Sequence, residues 1–248
     1  MVVFPLDYAS GKVPQFSITL MPCITPNMES ALAWKDKPIG KSIDELCLAN
    51  GVRHLVWVFM DGGPASTLNQ IILPEDVKGH KMRAAGKKFE FMLREAGAAI
   101  TSMPSSELYH ALATGVLDSG LTSSGSWVSY KLFEQVDYIN VPRDYAIWFM
   151  EEGLYIGTRS YDLLTPEQQR VFDACAKEIQ DTWVLPNFKK DVGKLIEVFE
   201  KAGVEMHYMT ESEWNVWLEF SKKTAWKEFA EAVEGGQELL DQALAAIK

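Results

Sequence analysis

The sequence predicts an α/β protein, and three features carry that prediction. Segments of strand character alternate with amphipathic helical segments along most of the chain, the pattern of βα units. The segment Val52-Arg53-His54-Leu55-Val56-Trp57-Val58-Phe59 is β-branched and aromatic with little alternation, as in a strand buried on both faces of a sheet. The last third reads as successive helices around one short strand at 204–209.

At 248 residues the chain is long enough for one large domain or two smaller ones with a sizeable core. Hydrophobic residues at 47% and charged residues at 23% exclude general disorder. A net charge of −10 argues against nucleic acid as a partner, because phosphate binding needs a basic face. It leaves a small anion open, since a local pocket can oppose the global sign. Cys23, Cys47 and Cys175 are scattered, with no metal-ligand spacing, and read as small buried hydrophobes. His54, His80, His110 and His207 form no H-x-x-x-H or H-E-x-x-H pattern. No apolar run is long enough to span a bilayer, so membrane insertion is not expected. The opening Met1-Val2-Val3-Phe4-Pro5 lacks the basic start and long apolar core of a secretory signal.

In chain order, residues 1–27 read as extended chain or loop, broken by Pro5, Pro14, Pro22 and Pro26. Helices are predicted over 28–36 and 42–49, the second stopped by Asn50-Gly51. Asp61-Gly62-Gly63-Pro64 reads as a loop or crossover. A turn at 74–79 leads into a strand at 80–84. Phe89, Met92, Leu93 and Ala96 then recur at i, i+3, i+4 and i+7, the apolar face of a helix closed by Gly97. Strands at 100–103 and 116–121 flank a helix capped by Ser105 or Ser106 and stopped at Gly115. A further helix opens at Ser124 or Ser126, and strands follow at 136–141, 146–149 and 154–157. Thr165, Pro166 and Gln168 form a capping box with proline at N1, opening a long helix with a kink or break at Pro186. Thr210 to Glu213 forms another box, for a helix to about 232, and Gly235-Gly236 separates it from a last amphipathic helix.

The stretch 81–126 concentrates the candidate chemistry, because each of its strands delivers a polar or cationic residue at the C-terminal end, where open α/β sheets bind ligands. Arg83 ends one strand. It is either a solvated arginine or a two-pronged anchor for a carboxylate. Thr122-Ser123-Ser124-Gly125-Ser126 follows another strand and opens a helix. One hydroxyl suffices for an N-cap, and the others suit an anion or a hydroxylated ligand. Trp127 and Trp148 are candidates for pocket walls or for core. Glu151-Glu152 is a like-charge pair, read as solvated surface or, for Glu152, as a contact to a metal or hydroxyl. No G-x-S-x-G elbow, Walker sequence or G-x-G-x-x-G fingerprint is present, which moves the weight from catalysis toward binding. No cofactor is implied.

Several segments carry a family resemblance. Lys78-Gly79-His80-Lys81-Met82-Arg83 resembles the KGxKxR segment of the solute-binding receptors of TRAP (tripartite ATP-independent periplasmic) transporters, the DctP-like family. The run from Met103-Pro104-Ser105-Ser106-Glu107-Leu108-Tyr109 to Gly115-Val116-Leu117-Asp118 resembles MPxSElYxALqtGvvD, the group's most specific signature. Leu93 to Ala98, Lys131 to Tyr138 and Leu164 to Gln169 resemble its LGA, KxxEVxKY and LsPedQ segments.

The resemblance implies a two-domain periplasmic binding protein, type II-like, of the Venus flytrap kind, with helices that cross between domains. The implied division is 1–62 with 152–190, and 63–151 with 191–248. The implied ligand is a small organic acid, held by Arg83 and contacted by Thr122, Ser123 and Ser124. Trp127 and Trp148 are the apolar walls, and Gly62, Gly63 and Pro64 a cleft loop. The implied partner is a TRAP membrane permease and the implied location periplasmic. The family starts with a signal peptide and βα units upstream of the segment matching 9–22, so a first domain lacking its N-terminal part is expected. The asparagine that many members carry after DGQE is absent from Asp118-Ser119-Gly120-Leu121-Thr122. Two other readings stand beside this one: an α/β enzyme acting on a small organic acid through Ser123 or Ser124, and a remnant that packs but binds nothing.

Overall fold

The computed structural model describes residues 1–247 and is a mixed α/β structure around a nine-stranded sheet. The strands are β1 (Val2–Pro5), β2 (Val52–Val56), β3 (Phe59–Ser66), β4 (Lys81–Arg83), β5 (Ala99–Thr101), β6 (Ser119–Ser123), β7 (Tyr138–Val141), β8 (Trp148–Gly157) and β9 (Glu205–Tyr208). The main path runs β1-β8-β3-β6-β4-β5; β2 also pairs with β8, and β7 joins β3 to β9. The β5-β4-β6 part is parallel, as the βα alternation of the sequence requires. Around β8 the pairing is antiparallel.

Eleven helices cover the sheet: α1 (Met28–Leu32), α2 (Pro38–Ala49), α3 (Lys87–Glu95), α4 (Leu108–Ala113), α5 (Ser124–Ser129), α6 (Thr158–Asp162), α7 (Pro166–Thr182), α8 (Val184–Ala202), α9 (Glu211–Ser221), α10 (Lys227–Ala232) and α11 (Gly236–Ala246). One core gathers Phe16, Ile18, Trp34, Phe89, Trp217 and Phe229; a second gathers Leu108, Trp127, Ile139, Leu195 and Phe199. The C-terminal helices are tied to distant loops by indole N–H groups. Trp214 donates to the Ala146 carbonyl (3.0 Å), Trp217 to Ile72 (2.7 Å) and Trp226 to Pro22 (2.8 Å). Among the described residues no helix is long and apolar enough to cross a membrane.

Five sequence expectations are corrected. Residues 61–64 are not a loop but the middle of β3. Gly62 and Gly63 are there because a Cβ on either would overlap a neighbouring backbone carbonyl, of Thr122 and Asn140 respectively. Pro64 is tolerated because β3 changes partner at this point. On one edge it pairs with β8 over 59–62 and with β7 over 65–66, so the missing N–H falls in the gap. The strands expected at 146–149 and 154–157 are one continuous strand, β8. Residues 1–27 are not plain loop: they hold β1 and two 3-10 helices, Leu6–Ala9 and Pro14–Leu20, with Phe16, Ile18 and Leu20 buried. The break in the long helix falls at Trp183, and Pro186 sits in the first turn of α8, where a missing N–H is harmless. Cys175 is exposed, whereas Cys23 and Cys47 are buried as expected.

The capping box at Thr165 is present: its side chain accepts from the Gln168 N–H (3.3 Å) and its own N–H donates to Gln168 Oε1 (2.8 Å). Thr165→Ala is expected to lower stability by about 1 kcal/mol, read as a drop in the urea unfolding midpoint.

Candidate functional site

The site is assembled where β4, β6 and β8 present residues to one cavity of about 440 Å³, the size of a small-metabolite pocket. Along β8 side chains alternate, so Trp148, Met150 and Glu152 face the cavity while Phe149 and Glu151 face the other way. Met60 from β3, Arg83 from the end of β4, Thr122 and Ser123 from β6, and Tyr8, Ser105 and Ser126 complete the lining.

Arg83 is 4% exposed. Its Nε donates to the Met103 carbonyl (3.0 Å) and its Nη1 to the Leu121 carbonyl (2.8 Å), which fixes the plane of the guanidinium. Neither partner is an acid, and among the described residues no carboxylate lies within ion-pair distance of it. Burial pulls its pKa below the ordinary value. A guanidinium has five N–H donors, so several remain for a ligand. A buried cation without a counter-ion is costly, and an anionic ligand is the natural remedy.

The hydroxyl run divides by task. Thr122 and Ser123 line the cavity, and Ser123 also caps α5, accepting from the Ser126 N–H (3.2 Å) and donating to Ser126 Oγ (2.9 Å). Ser124 turns away and donates to Asp61 Oδ2 (2.8 Å). Burial, then the nearby Asp191, pushes the Asp61 carboxyl up to about 7, against the Ser124 hydrogen bond.

Trp148 lines the cavity at 1% exposure, and its indole N–H has no partner among the described residues. Trp127 does not reach the cavity: it is fully buried in the second core, edge-on to Phe199, with Nε1 donating to the Gly63 carbonyl (3.0 Å). Gly62, Gly63 and Pro64 do not line it either; they bring β3 close to β6 and β7. Thus Arg83, Thr122, Ser123, Trp148 and Glu152 come together, and Ser124 and Trp127 stand outside.

The pair Glu151-Glu152 is not one solvated surface, because alternation sends the two side chains to opposite faces. Glu152 is half-buried in the cavity wall, its pKa raised by burial and then by Glu151. It belongs to no group of three His, Cys, Asp or Glu residues able to hold a metal among the described residues. Glu151 is fully buried on the other face, where it accepts from the Tyr155 hydroxyl (2.6 Å) and lies 3.3 Å from His54 Nε2. His54 Nδ1 is 3.2 Å from Asp44 Oδ1. Sequence reading missed this cluster, and it missed Tyr8, Met60, Ser105 and Met150. For Met150 the two-residue period from Trp148 to Glu152 was the available signal.

Two larger surface clefts, about 630 and 580 Å³, lie elsewhere. The arginine in one of them, Arg143, is exposed and paired with Asp144, so it offers no stranded charge.

Known proteins resemble the chain across nearly its whole length. A solute-binding protein of Albidiferax ferrireducens is 34% identical over 240 residues, 97% of this chain and 71% of that protein. The crystal structure of a TRAP periplasmic solute-binding protein from Rhodoferax ferrireducens, with bound malonate, superposes with a TM-score of 0.92 at 33% identity, covering 99% of this chain and 77% of the other. A TRAP periplasmic solute-binding protein from Sulfitobacter sp. NAS-14.1, with bound β-D-galacturonate, gives 0.87 at 21% identity over 98% and 79% of the two chains, a likeness of fold. The family model for DctP, bacterial extracellular solute-binding protein family 7, matches residues 1–232, and the chain belongs to that family.

Proposed function

We propose that the protein is the extracytoplasmic receptor of a TRAP-type secondary transporter, that it binds a small organic acid by its carboxylate, and that it delivers this ligand to the membrane permease. The observation that carries the reading is the Arg83 guanidinium, buried in the wall of a metabolite-sized cavity with no acidic partner among the described residues. The bound malonate and galacturonate of the structural neighbours are both carboxylates, which supports it. Arg83 is the charged anchor, Thr122 and Ser123 supply hydroxyls, and Trp148 is a wall with a free indole N–H. Ser124 and Trp127 hold this frame from behind.

The two lobes are 1–62 with 152–190, and 63–151 with 191–248. In support, β3 and β8 each change partner near these limits: β3 leaves β8 after Gly62, and β8 leaves β3 after Glu151 for β1 and β2. Ligand contacts made to both lobes favour closure over the open form, which is the signal the permease reads. The site is periplasmic and binds without turnover; Ser123 is spent on capping α5 and has no histidine beside it among its hydrogen-bond partners.

The test is a thermal-shift screen against monocarboxylates, hydroxy acids, uronates and dicarboxylates, repeated with Arg83→Ala. A ligand that raises the melting temperature of the wild type is expected to lose affinity at least tenfold in the variant, about 1.4 kcal/mol or more. Equal responses of wild type and variant exclude Arg83 as the anchor, and conversion of the bound acid to a product excludes a simple receptor.

A further inference from the structure

The cavity is electrically lopsided in a way that carboxylate binding alone does not explain. Its donor end holds the Arg83 guanidinium and the unpartnered indole N–H of Trp148, both on residues more than nine-tenths buried. Its other end holds Glu152, whose carboxylate makes no ion pair and no side-chain hydrogen bond among the described residues. A second cavity of about 200 Å³ shares Met60, Gly125 and Glu152 with the first and adds Asp61 and Asp191. No lysine or arginine lies within ion-pair distance of these three acids among the described residues. Among the described residues the side-chain hydrogen-bond partners of these acids are neutral: Ser124 Oγ at 2.8 Å from Asp61 and Asn187 Nδ2 at 3.4 Å from Asp191.

Two stranded charges of opposite sign thus line one continuous space without pairing with each other. Each group would gain if a ligand brought the complementary charge. A dicarboxylate satisfies Arg83 but sets its second anion against the acids, whereas a carboxylate with a cationic far end satisfies both ends. Trp148 and Glu152 are four residues apart on one face of β8, about 13 Å along an extended strand, so the acid is set along the cavity from the indole N–H.

We propose that the ligand is a zwitterion of the ω-amino acid type, its carboxylate on Arg83 and Trp148 and its protonated amine at Glu152 with Asp61 and Asp191 behind. This rests on the receptor reading and narrows the class of acid it takes. Burial first, and then a neighbouring acid, raises the pKa of both Glu152 and Asp61, and a cation brought by the ligand would relieve both causes.

The experiment is titration calorimetry with sets matched in length: 4-aminobutyrate, 4-hydroxybutyrate and glutarate, then 6-aminohexanoate, 6-hydroxyhexanoate and pimelate. Wild type, Glu152→Gln and Arg83→Ala are compared. In at least one set the amino acid is expected to bind wild type at least tenfold more tightly than the diacid, and Glu152→Gln to shrink that ratio at least fivefold. A diacid or hydroxy acid that matches the amino acid overturns the cationic end, as does a ratio unchanged in Glu152→Gln. If those acids bind and Arg83→Ala abolishes it, the receptor reading survives that loss. If no carboxylate in this series or the wider screen binds, both readings fall together.

Discussion

Raising the pH from about 6.5 to about 9 is expected to cost the folded protein about 3 kcal/mol through His54 alone. Its imidazole is sandwiched between the rings of Trp57 and Tyr155, at centroid distances of 4.3 and 4.6 Å, with a side chain 2% exposed. Both ring nitrogens face acceptors: Nδ1 meets Asp44 Oδ1 at 3.2 Å, and Nε2 meets the Val56 carbonyl at 3.1 Å and Glu151 Oε1 at 3.3 Å. Only the imidazolium has a proton for each side. Burial opposes the charge, but the Asp44 hydrogen bond and the Glu151 carboxylate beside Nε2 outweigh it and push His54 up to about 9, from an ordinary 6.5. The folded state therefore holds a proton that the unfolded chain has released, and the stabilisation, complete below about 6.5, fades as pH rises through 9.

Other groups do not mask this in the upper part of the window. Burial raises Asp7 and Asp61 to about 7, so their unfavourable ionisation is nearly complete by then. Burial drives Cys23 and Cys47 up to about 12, beyond the range. About 2 kcal/mol of the His54 contribution falls above pH 7.5. Guanidinium unfolding at pH 7.5 and 9.5 is the measurement, on wild type and His54→Gln. A midpoint that stays constant, or that falls equally in both proteins, would remove His54 as the titrating group.

How much of this was legible in the sequence follows from how local each signal is. The β4-α3-β5-α4-β6 run was readable, because its periodicities and its glycine stops act within a few residues. The capping boxes at Thr165 and Thr210 were readable for the same reason. The His54 cluster was not. Its partners come from α2 and β8, far apart in the chain, and nothing near His54 distinguishes it from a surface histidine. Gly153 is a hidden part of that cluster: a Cβ there would overlap Glu151 Oε1 and His54 Nε2, so the glycine makes room for the pair to meet. Trp127 and Trp148 looked equivalent by composition. Only the sheet separates them, because Trp148 lies on the cavity face of β8 while Trp127 drops from the short α5 into the core. Arg83 could be located at a strand end, but its burial without an acid depends on Met103 and Leu121 offering carbonyls from two other segments.

The same long-range logic gives the largest expected effect of a single methyl group. Asp61-Gly62-Gly63-Pro64 has the composition of a turn, since glycine and proline ordinarily punctuate chains. Here the glycines serve close approach inside a strand. Gly62 pairs with Ser123 on one side and Trp148 on the other, so β3 is gripped between the two strands that supply Thr122 and Trp148 to the cavity. A Cβ at Gly62 would overlap the Thr122 carbonyl oxygen and lie 2.7 Å from Trp148 Cε3. One obstacle is backbone within a sheet and the other a fully buried indole, so neither yields as a flexible side chain would. Gly62→Ala is expected to destabilise by about 3 kcal/mol, roughly a 10 °C drop in melting temperature. Gly11→Ala is the control: nothing lies within 4 Å of a Cβ there, and the change is expected to stay within about 0.5 kcal/mol of wild type. Because relief of the clash must move Thr122 or Trp148, Gly62→Ala is also expected to weaken any ligand-induced thermal shift, while Gly11→Ala leaves it intact. A Gly62→Ala protein as stable as the control would mean that β3, β6 and β8 do not close around the cavity as tightly as their register demands.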